Sequence, residues 1–254
     1  MDLKDRIIVI TGGASGIGRA MARRFAAEGP TLIVCADRDG EGAKATAAEV
    51  GGVAFTVDVS VEADIQGLIE TVESDHGPID LFCSNAGIGI AGGAEASNAD
   101  WQRIWDINVM AHVWAARHLV PRMAARGGGY LLNTASAAGL LSQIGSAPYA
   151  VTKHAAVGLA EWLAITHGDQ GIKVSVLCPQ AVRTAMTAGN EDGVASVDGM
   201  MEPEELAEVV VKSIAAEEFL ILPHPQVLDY MRKKTADYGR WIGGMRKLNR
   251  AYQG

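Results

Sequence analysis

Residues 6–18 read RIIVITGGASGIG, an apolar run that leads directly into a glycine-rich turn. An amphipathic segment follows at residues 16–28, so the local order is strand, turn and helix. A turn of this kind presents free backbone N–H groups and the positive end of a helix dipole, and glycines let a ligand approach the backbone. The spacing of Gly12, Gly16 and Gly18 therefore predicts a pyrophosphate site, with a structural tight turn as the alternative for the glycines alone.

A carboxylate follows the second apolar run, residues 31–36, about 20 residues beyond the glycine turn. Asp37 at this position can accept hydrogen bonds from the hydroxyls of an adenosine ribose. A 2′-phosphate would meet a like charge there, and at ~4 Å and an effective dielectric constant of ~20 the repulsion is several kcal/mol. Arg38 acts in the opposite direction, because a guanidinium could hold a 2′-phosphate. The two residues together favour NAD over NADP as the cofactor.

The composition is that of a folded protein rather than of a disordered or fibrous chain. The 254 residues include 30 glycines, 48% hydrophobic and 20% charged residues, and the glycines follow no period of three. The formal net charge of −8 argues against a nucleic-acid partner, which requires a basic face. Cys35, Cys83 and Cys178 each lie in or at the end of an apolar run, which predicts buried free thiols and no metal site.

The first residues, MDLKDRIIVITGG, do not form a secretory signal, because Asp2 and Asp5 precede a short apolar run. No apolar run approaches the ~18 residues that are needed to cross a bilayer. We therefore expect a cytoplasmic protein without a membrane span.

Short apolar runs alternate with longer amphipathic segments along most of the chain, which is the signature of repeated βαβ units around a buried parallel sheet. The expected strands are residues 6–11, 31–36, 53–57, 79–84, 129–135, 172–178 and 219–222, and the expected helices are residues 16–28, 41–50, 61–76, 98–126, 149–167 and 203–217. No linker or internal repeat divides this pattern. Residues 1–254 are thus predicted to form a single α/β domain, a doubly wound Rossmann fold with a seven-stranded, mainly parallel sheet and helices on both faces.

Two segments depart from the alternation. Residues 185–201 (AMTAGNEDGVASVDGMM) are rich in glycine and polar residues, and a loop of this length predicts a mobile substrate loop. Residues 225–254 carry seven Lys or Arg and two Asp, with apolar residues recurring every seven positions, which predicts a C-terminal amphipathic helical extension. The extension is expected to pack on a partner subunit or over the substrate mouth, with a membrane surface or a nucleic acid as less favoured contacts.

Tyr149 and Lys153 are four residues apart on a predicted helix, so their side chains lie on one face. A nearby ammonium favours phenolate, and it is expected to lower a tyrosine pKa from ~10 by two to three units. Ser136 lies at the end of the predicted fifth strand, at the edge of the sheet where ligands bind. A hydroxyl donor beside an ionisable phenol suits a carbonyl oxygen that is becoming an alkoxide, although a Tyr–Lys pair by itself could be an ordinary surface pair.

The order and spacing of these motifs resemble those of the short-chain dehydrogenase/reductase family. The resemblance covers nearly the whole chain. The matches are Thr11, Gly12, Gly16 and Gly18 to the TGxxxGxG turn, Asp58 to the Asp that contacts adenine, Asn85, Ala86 and Gly87 to the NAG motif, Asn108 to the catalytic Asn, Ser136 to the catalytic Ser, and Tyr149 and Lys153 to the YxxxK pair.

The resemblance implies hydride transfer between a nicotinamide and a carbinol or carbonyl carbon. It assigns proton exchange with the substrate oxygen to Tyr149 and a hydrogen bond to that oxygen to Ser136. It implies that Lys153 lowers the pKa of Tyr149 and holds the nicotinamide ribose, and that Asn108 anchors a water that relays protons. The cofactor-binding residues that it implies, together with Asp37 and Arg38, are Gly12, Ser15, Gly16, Ile17, Gly18, Asp58, Val59, Asn85, Ala86, Gly87, Tyr149, Lys153, Pro179, Val182 and Thr184.

The chain departs from the family pattern at two positions. Ser84 stands where the family commonly has Asn before NAG, and it can still form hydrogen bonds. Gln180 follows Pro179 where the family commonly has Gly. Its amide is expected either to shape the substrate pocket or to be a tolerated surface substitution.

The segments expected to line the pocket, residues 87–95 and 137–147, contain no Lys or Arg, and the loop has only Arg183 near its base. This favours an apolar secondary alcohol or ketone of alicyclic, aromatic, steroid-like or terpenoid-like structure. The residues predicted to contact this substrate are Ala138, Leu140, Ile144, Gln180 and Met186. Leu141 and Met200 are also expected in the pocket wall, with ordinary core packing as the alternative for the leucines and methionines.

Two alternative functions are weighed against this one. A reductase of 3-oxoacyl thioesters is disfavoured by Asp37 and by the lack of cations in the expected pocket. A dinucleotide sensor without chemistry is disfavoured because both Tyr149 and Lys153 are present. By resemblance, a homotetramer or homodimer is expected to form through the two long helices, residues 98–126 and 149–167.

Overall fold

The computed structural model describes residues 1–189, 191 and 193–252. Within these residues seven strands form one sheet in the order β3, β2, β1, β4, β5, β6, β7. Every neighbouring pair of strands is parallel. The strands are β1 Ile7–Thr11, β2 Leu32–Asp37, β3 Val53–Thr56, β4 Leu81–Ser84, β5 Gly129–Thr134, β6 Ile172–Leu177 and β7 Leu220–Ile221.

Helices connect successive strands and cover both faces of the sheet. They are α1 Gly16–Ala26, α2 Gly40–Val50, α3 Glu62–Asp75, α4 Asn98–Trp105, α5 Ala111–Ala125, α6 Ala147–His167, α7 Pro203–Ala215, α8 Gln226–Ala236 and α9 Tyr238–Tyr252. A π-helical segment, Asp106–Met110, joins α4 to α5.

The strands are continuous apolar runs because both of their faces are buried. In β1, Ile8 and Ile10 pack with side chains of α1, α2 and α7, whereas Ile7 and Val9 pack with those of α3, α5 and α6. The strand order reverses between β1 and β4, and the carboxyl ends of the strands at such a reversal border a ligand crevice.

The predicted fold class is confirmed, with differences in detail. The sheet is entirely rather than mainly parallel, and the strand expected at residues 79–84 begins only at Leu81. The single helix expected at residues 98–126 is interrupted by the π-helical segment.

The helix expected at residues 225–254 is divided into α8 and α9 at Asp237, and its last two positions lie outside the described residues. Asp237 has an extended backbone, with φ −155° and ψ 96°. Its Oδ1 accepts a hydrogen bond from the Arg240 amide at 2.9 Å, so this aspartate caps the start of α9.

The predicted substrate loop, residues 185–201, is joined at its base. The amide of Arg183 donates to the carbonyl of Met201 at 2.9 Å, and the amide of Met201 donates to the carbonyl of Ala181 at 3.1 Å. Two positions of the loop, Asn190 and Asp192, lie outside the described residues.

The three cysteines are buried and unpaired, as the sequence predicts. In the part of the chain that the structure describes, no helix combines the length and the apolar character that a bilayer crossing requires.

Candidate active site

The glycine turn between β1 and α1 is built so that only glycine fits at its central positions. Gly12 has a φ of +68°, and a Cβ there would lie 3.0 Å from the Cα of Ala86. A Cβ on Gly18 would overlap the carbonyl group of Gly12. Gly12 and Gly16 line the cavity at the start of α1 and have no side chain to block a ligand, which fits the pyrophosphate of a dinucleotide.

Asp37 lies at the end of β2 beside this turn. Its Oδ2 accepts a hydrogen bond from the amide of Ala14 at 3.1 Å, and its Oδ1 accepts one from the amide of Asp39 at 3.0 Å. The carboxylate is therefore oriented by two backbone donors. Arg38 is exposed and lines the same end of the cavity.

Asp58 follows β3 at the same edge of the sheet. The hydroxyl and the amide of Ser60 donate to its Oδ1 at 2.7 and 2.9 Å. These hydrogen bonds hold the pKa of Asp58 below its ordinary value, since they stabilise the carboxylate.

Tyr149 and Lys153 lie one turn apart on α6, and the Lys153 Nζ is 5.6 Å from the centroid of the Tyr149 ring. The Nζ also donates a hydrogen bond to the carbonyl of Thr134 at 3.0 Å, which ties α6 to the end of β5. Ser136 follows β5, and its Oγ accepts a hydrogen bond from the amide of Ala138 at 3.1 Å. Three of the four predicted catalytic side chains, those of Ser136, Tyr149 and Lys153, line one cavity.

The ionisation of this pair differs from the expectation that Lys153 lowers the pKa of Tyr149. Burial raises the pKa of Tyr149, and the hydroxyl of Ser136 opposes this effect. Burial also lowers the pKa of Lys153 to about 8. For both groups the largest effect is burial, which disfavours the charged form.

Asn108 lies in the π-helical segment and is fully buried. Its Oδ1 accepts from the amide of Ile88 at 2.9 Å, and its Nδ2 donates to the carbonyl of Ile88 at 2.9 Å and to the Thr152 Oγ1 at 3.3 Å. Both amide hydrogens are thus engaged by protein groups, so the side chain braces the chain after β4 against α6. A π-helical turn inside a longer helix is frequently found at functional sites.

These elements border one cavity of about 1800 Å³ that extends from the glycine turn past Tyr149 to the C-terminal helices. Its volume exceeds the ~300–1,000 Å³ of a pocket for a single small ligand, which leaves room for a dinucleotide and a substrate together.

Most residues predicted from the sequence line this cavity, and four do not. Those in the lining are Gly12, Ser15, Gly16, Ile17, Asp37, Arg38, Asp58, Val59, Asn85, Ala86, Gly87, Ser136, Ala138, Leu141, Ile144, Tyr149, Lys153, Pro179, Gln180, Val182, Thr184 and Met186. Gly18 lies beneath Gly12, and Asn108 lies behind Gly87.

Of the two adjacent leucines expected in the pocket wall, Leu141 lines the cavity and Leu140 does not. Leu140 is partly buried and packs against the hydrophobic core. Met200, also expected in the wall, is not part of the lining. The turn after Ser136 therefore determines which of the two leucines faces the cavity.

The C-terminal helices, expected to pack on a partner subunit or over the substrate mouth, contribute residues to the cavity that were not predicted individually. They are Tyr230, Lys233, Ala236, Asp237, Arg240, Trp241, Gly244, Met245 and Leu248. Arg103 of α4 lines the cavity as well. The expectation that the pocket has almost no cations is therefore wrong, because these cations come from segments distant in sequence. The sequence signals that pointed to them are the local positive charge and the amphipathic pattern of residues 225–254.

We call residues 226–252, which form α8 and α9, the cap. Lys234 donates hydrogen bonds from its Nζ to the carbonyls of Leu140 and Leu141 at 2.7 and 3.0 Å. The Tyr230 hydroxyl donates to the Asp198 Oδ1 at 3.0 Å. Helix α8 is therefore attached both to the turn after Ser136 and to the loop of residues 185–201.

Gln180 belongs to the same network. Its Nε2 donates to the Asp198 Oδ2 at 3.1 Å, and its amide donates to the His224 Nδ1 at 3.2 Å. Gln180 therefore lines the cavity and is held by hydrogen bonds to Asp198 and His224.

A family model described as short chain dehydrogenase matches residues 6–195, most of the chain. The chain belongs to the short-chain dehydrogenase/reductase family. The turn, the Ser136, Tyr149 and Lys153 side chains and the parallel sheet described above are the corresponding structural features.

Relatives within the family are dehydrogenases of alcohols. The meso-2,3-butanediol dehydrogenase of Serratia marcescens is 33% identical over 221 residues, which cover 83% of this chain and 87% of that protein. The 1-deoxy-11-beta-hydroxypentalenate dehydrogenase of Streptomyces exfoliatus is 33% identical over 252 residues, which cover 95% of this chain and 91% of that protein. These similarities support an oxidoreductase that acts on alcohols.

The fold is similar to that of a solved member of the family. A short-chain dehydrogenase/reductase from Burkholderia phymatum, in complex with NAD, matches with a TM-score of 0.85 and 29% identity, over 94% of this chain and 96% of that one. Short-chain dehydrogenases bind a nicotinamide dinucleotide, and the glycine turn described here fits that group.

Proposed function

We propose that this protein is an NAD-dependent dehydrogenase of secondary alcohols, with Tyr149 as the acid and base. The observation that carries the proposal is the single cavity in which Tyr149, Lys153 and Ser136 face the same space as the glycine turn and Asp37. Gly12, Gly16 and Asp37 would hold the dinucleotide at the carboxyl edge of the sheet, the edge at which Tyr149 also lies.

The catalytic side chains divide the work on the substrate oxygen. The Tyr149 hydroxyl takes the proton of an alcohol during oxidation and returns it to a carbonyl oxygen during reduction. The Ser136 hydroxyl donates a hydrogen bond to the same oxygen as its charge changes. The nicotinamide of bound NAD supplies the hydride acceptor.

Lys153 and Asn108 act on the groups that touch the substrate. The Lys153 ammonium, held by the carbonyl of Thr134, places positive charge beside Tyr149 and binds the nicotinamide ribose. Asn108 fixes the position of Ile88 and, through Thr152, the turn of α6 that carries Lys153.

NAD rather than NADP is proposed as the cofactor because Asp37 is a fixed carboxylate at the ribose end of the cavity. We expect Asp37→Ser to raise the ratio of kcat/KM with NADP to kcat/KM with NAD by ~10-fold or more, since a repulsion of several kcal/mol is removed. Arg38, which is retained, can then face the 2′-phosphate.

Initial rates with both cofactors measure this ratio. Arg38→Gln is the matched control. It is expected to lower kcat/KM with NADP, because the guanidinium that can face the 2′-phosphate is removed. If Asp37→Ser left the ratio of kcat/KM with NADP to kcat/KM with NAD unchanged, this carboxylate would not face the ribose.

The substrate is proposed to be an apolar secondary alcohol or its ketone, since Leu141, Ile144 and Met186 line the cavity near the catalytic residues. The experiment is a panel of alicyclic and aromatic secondary alcohols with NAD, followed at the absorbance of the reduced nicotinamide. We expect oxidation of several members, with product ketone in equal amount.

The same assay tests the two alternatives. Faster oxidation of NADPH with an acetoacetyl thioester than of NADH with any ketone would favour a thioester reductase. Tight NAD binding without turnover of any alcohol, ketone or thioester would favour a dinucleotide sensor.

We propose a homo-oligomer formed through α6. Val151, Trp162 and Ile165 lie on one face of this helix and are exposed, with Ile165 at 83%. Large apolar side chains so exposed typically mark a protein–protein contact. A measurement of the mass in solution tests this proposal and distinguishes a dimer from a tetramer.

A further inference from the structure

The cap presents two cations to the cavity that have no acidic partner. Lys233 and Arg240 both line the cavity, and among the described residues neither forms an ion pair with a carboxylate. Asp237 is the acidic residue nearest to them in sequence that lines the cavity, and its Oδ1 already accepts the Arg240 amide. The cap therefore contributes net positive charge to this end of the cavity.

The same wall is apolar beside these cations. Trp241, Met245 and Leu248 are spaced by four and three residues, so they lie on one face of α9, and all three line the cavity. The cap thus contributes both an apolar surface and two exposed cationic side chains to the cavity. It is suited to a ligand that is apolar over most of its length and negatively charged at one end.

The cap is attached so that this wall has a defined position. Lys234, next to Lys233 in sequence, is bonded to the carbonyls of Leu140 and Leu141, and Tyr230 is bonded to Asp198. These bonds connect α8 to segments that border Ser136 and Gln180. Helix α8, which carries Lys233, is therefore held in place relative to the segments that carry Ser136 and Gln180.

The charge of the cations restricts the ligand that can cover them. A neutral apolar group that displaced water from Lys233 and Arg240 would leave two cations without hydrogen bonds, which is unfavourable. A carboxylate or phosphate would replace that water with charge-assisted hydrogen bonds. The phosphates of the cofactor have a separate binding place at the glycine turn, close to Gly12 and Gly16.

We infer that Lys233 and Arg240 form a subsite for an anionic group of the substrate, remote from the carbon that reacts. The substrate is then a secondary alcohol with an apolar skeleton and a carboxylate or phosphate at its far end. This inference rests on the proposed alcohol dehydrogenase function and narrows its substrate class.

The test compares an alicyclic hydroxy acid with its methyl ester, which has the same skeleton and no charge, and with a 3-hydroxyacyl thioester of coenzyme A. For the wild type we expect the ratio of kcat/KM for the acid to that for the ester to exceed 1. We expect Lys233→Gln and Arg240→Gln each to lower this ratio about tenfold, corresponding to about 1.4 kcal/mol, mainly through KM. A preference for the coenzyme A thioester that is lost in the same variants would identify phosphate as the anion.

Arg246→Gln and Lys247→Gln are matched controls, because these cations lie on α9 but do not line the cavity. They should leave the ratio at its wild-type value, which excludes a general effect of net charge. Equal losses in all four variants, or a rise in KM for NAD in place of a change in the ratio, would overturn the inference.

Calorimetric binding to the Tyr149→Phe protein in the presence of NAD separates this inference from the proposed function. Tighter binding of the acid than of the ester supports the subsite if the difference is lost when Lys233→Gln is added. This holds even if the wild type oxidises neither compound, whereas that lack of oxidation would reject the proposed function. Equal binding of acid and ester overturns the subsite while oxidation of both leaves the proposed function intact.

Discussion

Replacement of Tyr149 by phenylalanine is expected to lower kcat for alcohol oxidation by ~10²-fold or more, because proton transfer by a positioned side chain contributes at least that factor. The substitution removes only the hydroxyl, and the ring continues to lie near the Lys153 Nζ at the 5.6 Å separation of the native residue. Binding of NAD should therefore stay nearly unchanged. Steady-state rates and a fluorescence titration with NADH measure the two quantities.

The pH dependence of the wild type provides a second signature of this residue. Burial raises the pKa of Tyr149, so the phenolate is the minor form near neutral pH. The phenolate, which accepts the proton, becomes more abundant as the pH rises. The rate of oxidation is expected to increase with pH, and this increase should be absent from the residual rate of Tyr149→Phe. Tyr238→Phe is the control, since Tyr238 is exposed and does not line the cavity. Wild-type turnover in Tyr149→Phe would refute the assigned role.

Replacement of Gly18 by alanine is expected to abolish NAD binding and to lower the free energy of unfolding by about 3 kcal/mol, the upper end of the cost of overpacking. A methyl group at this position would overlap the carbonyl of Gly12, which is backbone and cannot rotate away. The turn would have to open, and its amides would no longer converge on a pyrophosphate. Chemical denaturation and calorimetric titration with NAD measure both effects.

Gly67→Ala is the matched control for this change. Gly67 lies within α3, and nothing stands within 4 Å of a Cβ built on it. Alanine at that position should raise the free energy of unfolding by about 1 kcal/mol, as expected from helix propensity, and leave NAD binding intact. Comparable NAD affinity in Gly18→Ala and the wild type would show that the turn does not hold the cofactor.

The sequence predicted the sheet because its strands are buried on both faces, which leaves a continuous apolar run at each strand. The apolar runs of β1 and β5 can be recognised from their own residues, without information on the strands beside them. Local spacing likewise predicted the glycine turn and the Tyr149 and Lys153 pair, since residues of one turn or one helical face are close in sequence as well as in space.

Local irregularities were not predicted. The π-helical segment around Asn108 does not interrupt the apolar periodicity of the sequence, so the pattern predicts one continuous helix there. The Asn108 side chain within this segment is hydrogen-bonded to Ile88 and Thr152, which are distant in sequence. The shift expected for the pKa of Tyr149, a lowering by Lys153, differs from the rise that burial causes, for a related reason. Sequence spacing shows that a charge is near, whereas the larger effect comes from the protein atoms that exclude water.

The amino-acid sequence by itself determined the fold class, the family and the residues expected at the chemical centre, because these depend on short-range patterns and on motifs in a fixed order. Only the tertiary structure decided what surrounds that centre. It placed Leu141 rather than Leu140 in the wall, and it brought Lys233 and Arg240 of the cap into the cavity. An amphipathic pattern records which face of a helix is covered but not by what. The sequence therefore left a partner subunit and the substrate mouth as alternatives for the C-terminal helices, and the packed chain brings these helices to the cavity.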